Sequence, residues 1–134
     1  MRFVVDTNVI VSSLLLSRSV PRQAFDKVLT EGKLLVSVPM ILELAEVLSR
    51  KQFNKYLIEE ERIRFLVGLL KAAELVDTTE TISECRDPQD NKFLELAFGG
   101  KADCIISGDD DLLDLNPFRK IPIITPREFM NWKP

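Results

Sequence analysis

The stretch Arg2-Phe3-Val4-Val5-Asp6-Thr7-Asn8-Val9-Ile10 decides how the rest of the chain is read. Its apolar run is short and ends on a cluster of polar residues, so it reads as a first strand buried on both faces. Val9 to Leu16 is too apolar for an exposed loop and starts a helix. The same pattern recurs outward from it. Ser19-Val20-Pro21 opens a helix to Glu31, with Pro21 in the first turn and Gly32 just past the end. Leu34 to Val38 is a second strand, and Pro39 starts a helix with Ile41, Leu44, Ala45 and Leu48 at helical spacing. Glu59 to Ala73 is a further helix, with Ile63, Leu66, Val67 and Leu70 as its expected apolar face. Glu74 to Asp77 is a short strand, and Thr78 to Arg86 is irregular. Asp87-Pro88-Gln89-Asp90 opens a helix that stops at Gly99-Gly100. Asp103 to Ser107 and Ile121 to Thr125 complete the strands, and Pro126 begins a terminal helix. Strands alternating with helices predict an α/β fold with a parallel sheet covered on both faces.

The sequence has 134 residues and no repeat, low-complexity tract or linker, so it reads as one domain over 1–134. No apolar run reaches the length of a spanning helix, so no membrane partner is expected. A carboxylate at position six argues against a secretory leader, and a cytoplasmic protein is expected. Cys85 and Cys104 are too few for a disulfide scaffold or zinc site and read as core residues. There are no histidines, which removes Ser-His-Asp and Cys-His catalysis. A net charge of −3 disfavours a nonspecific nucleic-acid coat, but not a nuclease whose acidic pocket is filled by a metal.

In a parallel α/β sheet, ligands bind at the carboxyl edge of the strands. Asp6 follows the first strand and Asp109 the fourth. Glu43 lies early in the helix after the second strand, and Asp90 early in the helix after the third. All four fall on one edge. Two carboxylates about 5 Å apart repel by roughly 3 kcal/mol at an effective dielectric near 20. With no lysine or arginine evident among them, either some are protonated or a cation lies between them. Oxygen ligands without histidine or thiolate select Mg²⁺ or Mn²⁺. Each acid also has an ordinary structural use: Asp6 in a turn, Glu43 on an exposed helix face, Asp87 as a cap, Asp109-Asp110-Asp111 as a solvated turn. Arg50, Lys51 and Lys55, interleaved with Phe53 and Tyr56, either track a single-stranded nucleic acid or form a solvated helix end. Phe65, Phe93 and Phe98 read as core.

On these residues the sequence resembles the PIN-domain family, in the branch of VapC-like toxins of toxin–antitoxin systems. Val4-Val5-Asp6-Thr7-Asn8-Val9 resembles the family's first motif, and Ser37 to Leu44 its second, which puts the acid on Glu43. Arg86 to Ala97 resembles the third, with Asp90 as the acid. Lys101 to Leu113 resembles the fourth, with Asp109 as a ligand and Asp111 as an accessory acid. Ile123 to Phe129 matches the branch's tail. The resemblance implies a three-layer α/β/α sandwich with a mostly parallel five-stranded sheet. It also implies a Mg²⁺- or Mn²⁺-dependent ribonuclease, a homodimer, and a cognate antitoxin. Ser107 stands where many relatives carry Thr.

The expectation is therefore an endoribonuclease in which Asp6, Glu43, Asp90 and Asp109 hold the metal, Asp111 assists, and Thr7, Asn8 or Ser107 orient a ligand or phosphate. The alternative is a non-catalytic module of the same fold that binds RNA or a partner. A receiver-type domain expects a lysine after its last strand, where Ile123-Ile124-Thr125-Pro126 stands instead. A haloacid-dehalogenase type needs a second Asp at position eight, which is Asn8.

Overall fold

The computed structural model describes residues 1–134. Five parallel strands form one sheet: β1 (Arg2–Val5), β2 (Lys33–Val36), β3 (Glu74–Leu75), β4 (Cys104–Ile106) and β5 (Ile123–Ile124). Their order is β3-β2-β1-β4-β5, with β1 in the centre. Seven α-helices accompany them: α1 (Thr7–Leu15), α2 (Val20–Glu31), α3 (Val38–Leu48), α4 (Glu59–Ala72), α5 (Asn91–Gly99), α6 (Asp110–Leu113) and α7 (Pro126–Met130). Phe3 to Val5, Leu34 to Val36 and Cys104 to Ile106 are buried at every position, so helices cover both faces of the sheet. This is why the strand sequences are apolar runs without alternation. Cys85 and Cys104 are buried free thiols.

Local signals set the boundaries. Ser19 caps α2 by accepting from the Arg22 amide, and Pro21 lies in its first turn. Thr125 and Glu128 form a reciprocal capping box on α7. The expected helix at Asp87 begins instead as a 3₁₀ turn, Pro88–Asp90, before α5 takes over. At Gly100 a Cβ would lie 2.7 Å from Leu35 and 2.9 Å from the Leu96 carbonyl, so the helix stop is also a close packing point. The strands are shorter than expected, because flanking residues such as Asp6 and Ser37 serve as helix caps.

Two packing expectations are corrected. In α4, Ile63 and Val67 are exposed, and the inward face carries Arg62 and Leu69, with Phe65 and Leu66 packed against the core. A buried arginine shifts the apparent stripe, since a cation on an apolar face defeats periodicity reading. Phe98 is 42% exposed, and the Arg119 guanidinium lies 4.6 Å from its ring centroid. Arg119 covers an aromatic that the core does not reach.

Arg62 has no exposed surface and no carboxylate partner. Its guanidinium donates to the Leu48 carbonyl (2.7 Å), the Leu57 carbonyl and Asn54 Oδ1 (3.0 Å). It thereby ties the end of α3 and the following 3₁₀ turn, Lys51–Phe53, to α4. Replacing it with methionine keeps the stem but strands those oxygens, and each lost buried acceptor costs about 1–3 kcal/mol. We expect Arg62→Met to lower the thermal midpoint by several degrees. An unchanged melt would show that the bonds contribute nothing net.

Candidate active site

From β1 the sheet extends one way through β2 and the other way through β4. Such a reversal leaves a crevice at the carboxyl ends of the two diverging strands. A cavity of about 690 Å³ opens there, and Asp6, Glu43, Asp90 and Asp109 all line it, with Asn8, Asp87 and Lys92.

Asp6 caps α1 directly after β1. It is 4% exposed, and its Oδ1 accepts from the Asn8 amide at 3.1 Å. Ser107, at the end of β4, donates from Oγ to Asp6 Oδ2 at 2.7 Å, and the same Oγ accepts from the Asp109 amide at 3.0 Å. One hydroxyl thus joins the two acids that follow the central strands. Asp109 caps the short α6 by accepting from the Asp111 amide at 2.9 Å. Glu43 projects from the second turn of α3. Asp90 sits where the 3₁₀ turn passes into α5 and caps nothing, which leaves its carboxylate free of backbone duty. Its Oδ2 is buried and has no hydrogen-bond partner.

The electrostatics follow from the burial. Desolvation pushes the Asp6 carboxyl above its usual range, against the Ser107 and Asn8 bonds; the charges of Asp109 and Glu43 push it further. Asp90 is pushed up to about 7, first by desolvation, then by the close approach of the Asp109 carboxylate and by the charges of Asp6 and Asp87. Without a cation, the cluster therefore retains a proton near neutral pH.

The expectation that no basic group stands among the acids is corrected. Lys92 Nζ donates to Glu43 Oε2 at 2.5 Å and to the Gln89 carbonyl. It lies one turn below the 3₁₀ segment, where α5 swings toward α3, a proximity that separation in sequence hid. Arg86 reaches Asp111 at 3.0 Å and Asp114 at 2.5 Å, so Asp111 is paired outward. Asp111 nonetheless stands with Asp87 and Asp90, their carboxylate oxygens all within 4.8 Å of one another. Asp87, expected only as a cap, does accept from the Gln89 amide but also faces the cavity. Its place three residues before Asp90, across one 3₁₀ turn, was its one available signal.

Of the auxiliary residues, Thr7 is buried with Oγ1 unpartnered, and Asn8 is exposed at the cavity lip. Arg50 lines the same cavity and pairs with Glu46 at 2.8 Å, while Lys51 and Lys55 are exposed beyond it. The donors that converge are hard oxygens, one of them buried and unsatisfied. That set fits Mg²⁺ or Mn²⁺ and does not fit a soft metal.

Comparison with known proteins agrees with this architecture. A family model described as PIN domain matches residues 2–111. The chain belongs to the PIN-domain family. This PIN-domain chain is 33% identical to the uncharacterized protein MJ1680 of Methanocaldococcus jannaschii, over 96% of this chain and 89% of that one. Its fold is similar to VapBC-1 from nontypeable Haemophilus influenzae, with a TM-score of 0.62 at 14% identity, covering 95% and 99% of the two chains. It is also similar to VapBC2 from Rickettsia felis bound to a DNA fragment from their promoter. There the TM-score is 0.59 at 15% identity, with 93% and 97% covered. No helix of the PIN-domain chain is long and apolar enough to cross a membrane.

Proposed function

We propose that this PIN-domain chain is a Mg²⁺- or Mn²⁺-dependent endoribonuclease. We further propose that it is the toxin of a toxin–antitoxin pair, a cytoplasmic homodimer of one domain over residues 1–134 that a cognate antitoxin inhibits. The observation that carries the nuclease reading is the convergence of Asp6, Glu43, Asp90 and Asp109 on one cavity at the sheet's reversal point. The likeness in fold to VapBC structures supports the toxin and antitoxin part.

In this reading Asp6, Asp90 and Asp109, with Glu43 and the nearby Asp111, hold the cation. A bound Mg²⁺ or Mn²⁺ supplies a water of lowered pKa and a Lewis acid at the phosphoryl oxygen. Ser107 acts through Asp6 and Asp109, fixing the Asp6 carboxylate directly and the Asp109 backbone from which the second carboxylate projects. Asp90 releases its shared proton when the site is filled, because the added positive charge reverses the balance that holds it. Lys92, beside Glu43, offers an ammonium to a phosphate oxygen. Asn8, which lines the cavity, and Thr7, buried next to Asp6 in the chain with its Oγ1 unpartnered, orient a ligand in this reading. Arg50 at the cavity wall, with Lys51 and Lys55 beyond it, meets the RNA backbone.

The test is incubation of single-stranded RNA with the purified chain. Cleavage is expected with Mn²⁺ or Mg²⁺ and none with EDTA. Cleavage that survives EDTA, or intact RNA with both metals, would remove the assignment.

A further inference from the structure

Beside the carboxylate cavity lies a second depression of about 360 Å³, and Asn8, Val47 and Arg50 line both. Its volume falls in the range of roughly 300–1,000 Å³ that small-ligand sites occupy. The floor is aliphatic, with Val11 and Leu15 from α1. The outer wall comes from the segment after α3 and carries Phe53 and Tyr56. Tyr56 is 53% exposed, so a ring face is free to take a flat partner.

This wall is held in place from within. Arg62, wholly buried, donates to the Leu48 and Leu57 carbonyls and to Asn54, and so brackets the segment that bears Phe53 and Tyr56. The segment is also basic: Arg50 to Tyr56 holds three cations and no acid in a chain of net charge −3. Lys55 Nζ lies 5.2 Å from the Tyr56 ring centroid. The Arg50–Glu46 pair is exposed on both sides and offers little resistance to a competing anion.

We propose that this groove is a nucleobase subsite, in which an unpaired base next to the scissile phosphate rests on the aliphatic floor and stacks on Tyr56. Arg50 and Lys55 take the phosphates that flank it. The proposal rests on the ribonuclease reading for its polymer and adds what fixes the strand's register. An apolar protein segment laid on the same floor would desolvate Lys55 and Arg50 without an anion to meet them. A nucleotide brings its own anion beside each base. Stacking accepts any base, so the subsite selects single-stranded over paired RNA rather than one sequence.

The experiment measures binding of a short single-stranded oligoribonucleotide to the full chain in EDTA by fluorescence anisotropy. It is repeated on a series of the same RNA with one abasic position each. Tyr56→Leu should weaken binding on the order of tenfold, and Tyr56→Phe should restore it. One abasic position should cost the wild type a similar factor and cost Tyr56→Leu almost nothing, because the two changes remove one contact. Tyr56 is the chain's only tyrosine, so a ring-labelled sample gives a single set of tyrosine signals, which should move upfield as RNA is added. Cleavage with Mn²⁺ is measured in parallel on the same variants. Wild-type cleavage together with unchanged RNA binding by Tyr56→Leu, or with an unmoved tyrosine signal, overturns the subsite and leaves the nuclease intact. Absent cleavage with a coupled Tyr56–abasic effect overturns the nuclease and leaves the base subsite. A tyrosine signal that responds to a peptide partner but not to RNA assigns the groove to protein docking and overturns the proposal.

Discussion

Asp6→Asn is expected to reduce Mn²⁺-supported RNA cleavage on the order of a thousandfold, the scale of removing one preorganised charge from an active site. The substitution is nearly isosteric. The amide oxygen still accepts from the Asn8 amide, which keeps the helix cap, while the new NH2 group faces Ser107 Oγ and donates to it, so that contact is kept with its direction reversed. What disappears is one negative charge in a place that water barely reaches. The metal-free variant should melt no earlier than the wild type, because the charge it loses was held at a desolvation cost and faced Asp109 and Glu43. Gel-resolved cleavage and a thermal melt of the same preparation separate the two effects. Equal cleavage by wild type and variant would take Asp6 out of the machinery.

The second large effect links metal, proton and stability. Asp90 titrates near 7 and Asp6 above its ordinary range in the metal-free fold. Between about pH 4 and pH 7 the folded chain therefore holds protons that the unfolded chain releases. A raised carboxylate pKa gives stability that is present at low pH and lost as pH rises through the folded value. With screening allowed for at the partly exposed Asp90, that loss is on the order of 2 kcal/mol. Below about pH 4 the Arg2–Glu74 pair works the other way, since Glu74 is lowered by its bond to Arg2. Comparison with Asp90→Asn isolates the window. Mn²⁺ should reverse the trend. At a free concentration a hundred times Kd, binding to the folded state alone adds about 2.7 kcal/mol, a rise on the order of 10 °C in the midpoint. That rise should be full at pH 7.5 and shrink toward pH 5, as protons compete for the same oxygens. A wild-type melt indifferent to Mn²⁺ at pH 7.5 would sink the metal site.

Much of this was legible in the residues. Apolar runs such as Phe3-Val4-Val5 and Cys104-Ile105-Ile106 declare strands buried on both faces, because only such strands dispense with alternation. Caps such as Ser19 with Pro21, and Thr125 with Glu128, mark helix starts through local hydrogen bonds that need no tertiary context. Strand–helix alternation then places Asp6, Glu43, Asp90 and Asp109 on one edge, and all four line one cavity. Arg62 went unmarked because hydropathy made Ile63 and Val67 the inward face of α4, and Phe98 was misread because hydropathy takes a phenyl ring as inward. The folded chain paired one with carbonyls and the other with Arg119.

Periodicity and capping along the chain suffice for the fold class, the parallel sheet and the edge on which the acids gather, because each is a short-range property. The partners of those acids are set by packing between distant segments. Ser107 bridges Asp6 and Asp109, Lys92 crosses to Glu43, Arg86 turns Asp111 outward, and Asp87 joins the cluster. A hydrogen bond or ion pair is settled over about 3 Å, and Ser107 and Asp6 meet at that distance from 101 residues apart, a meeting that no local pattern encodes.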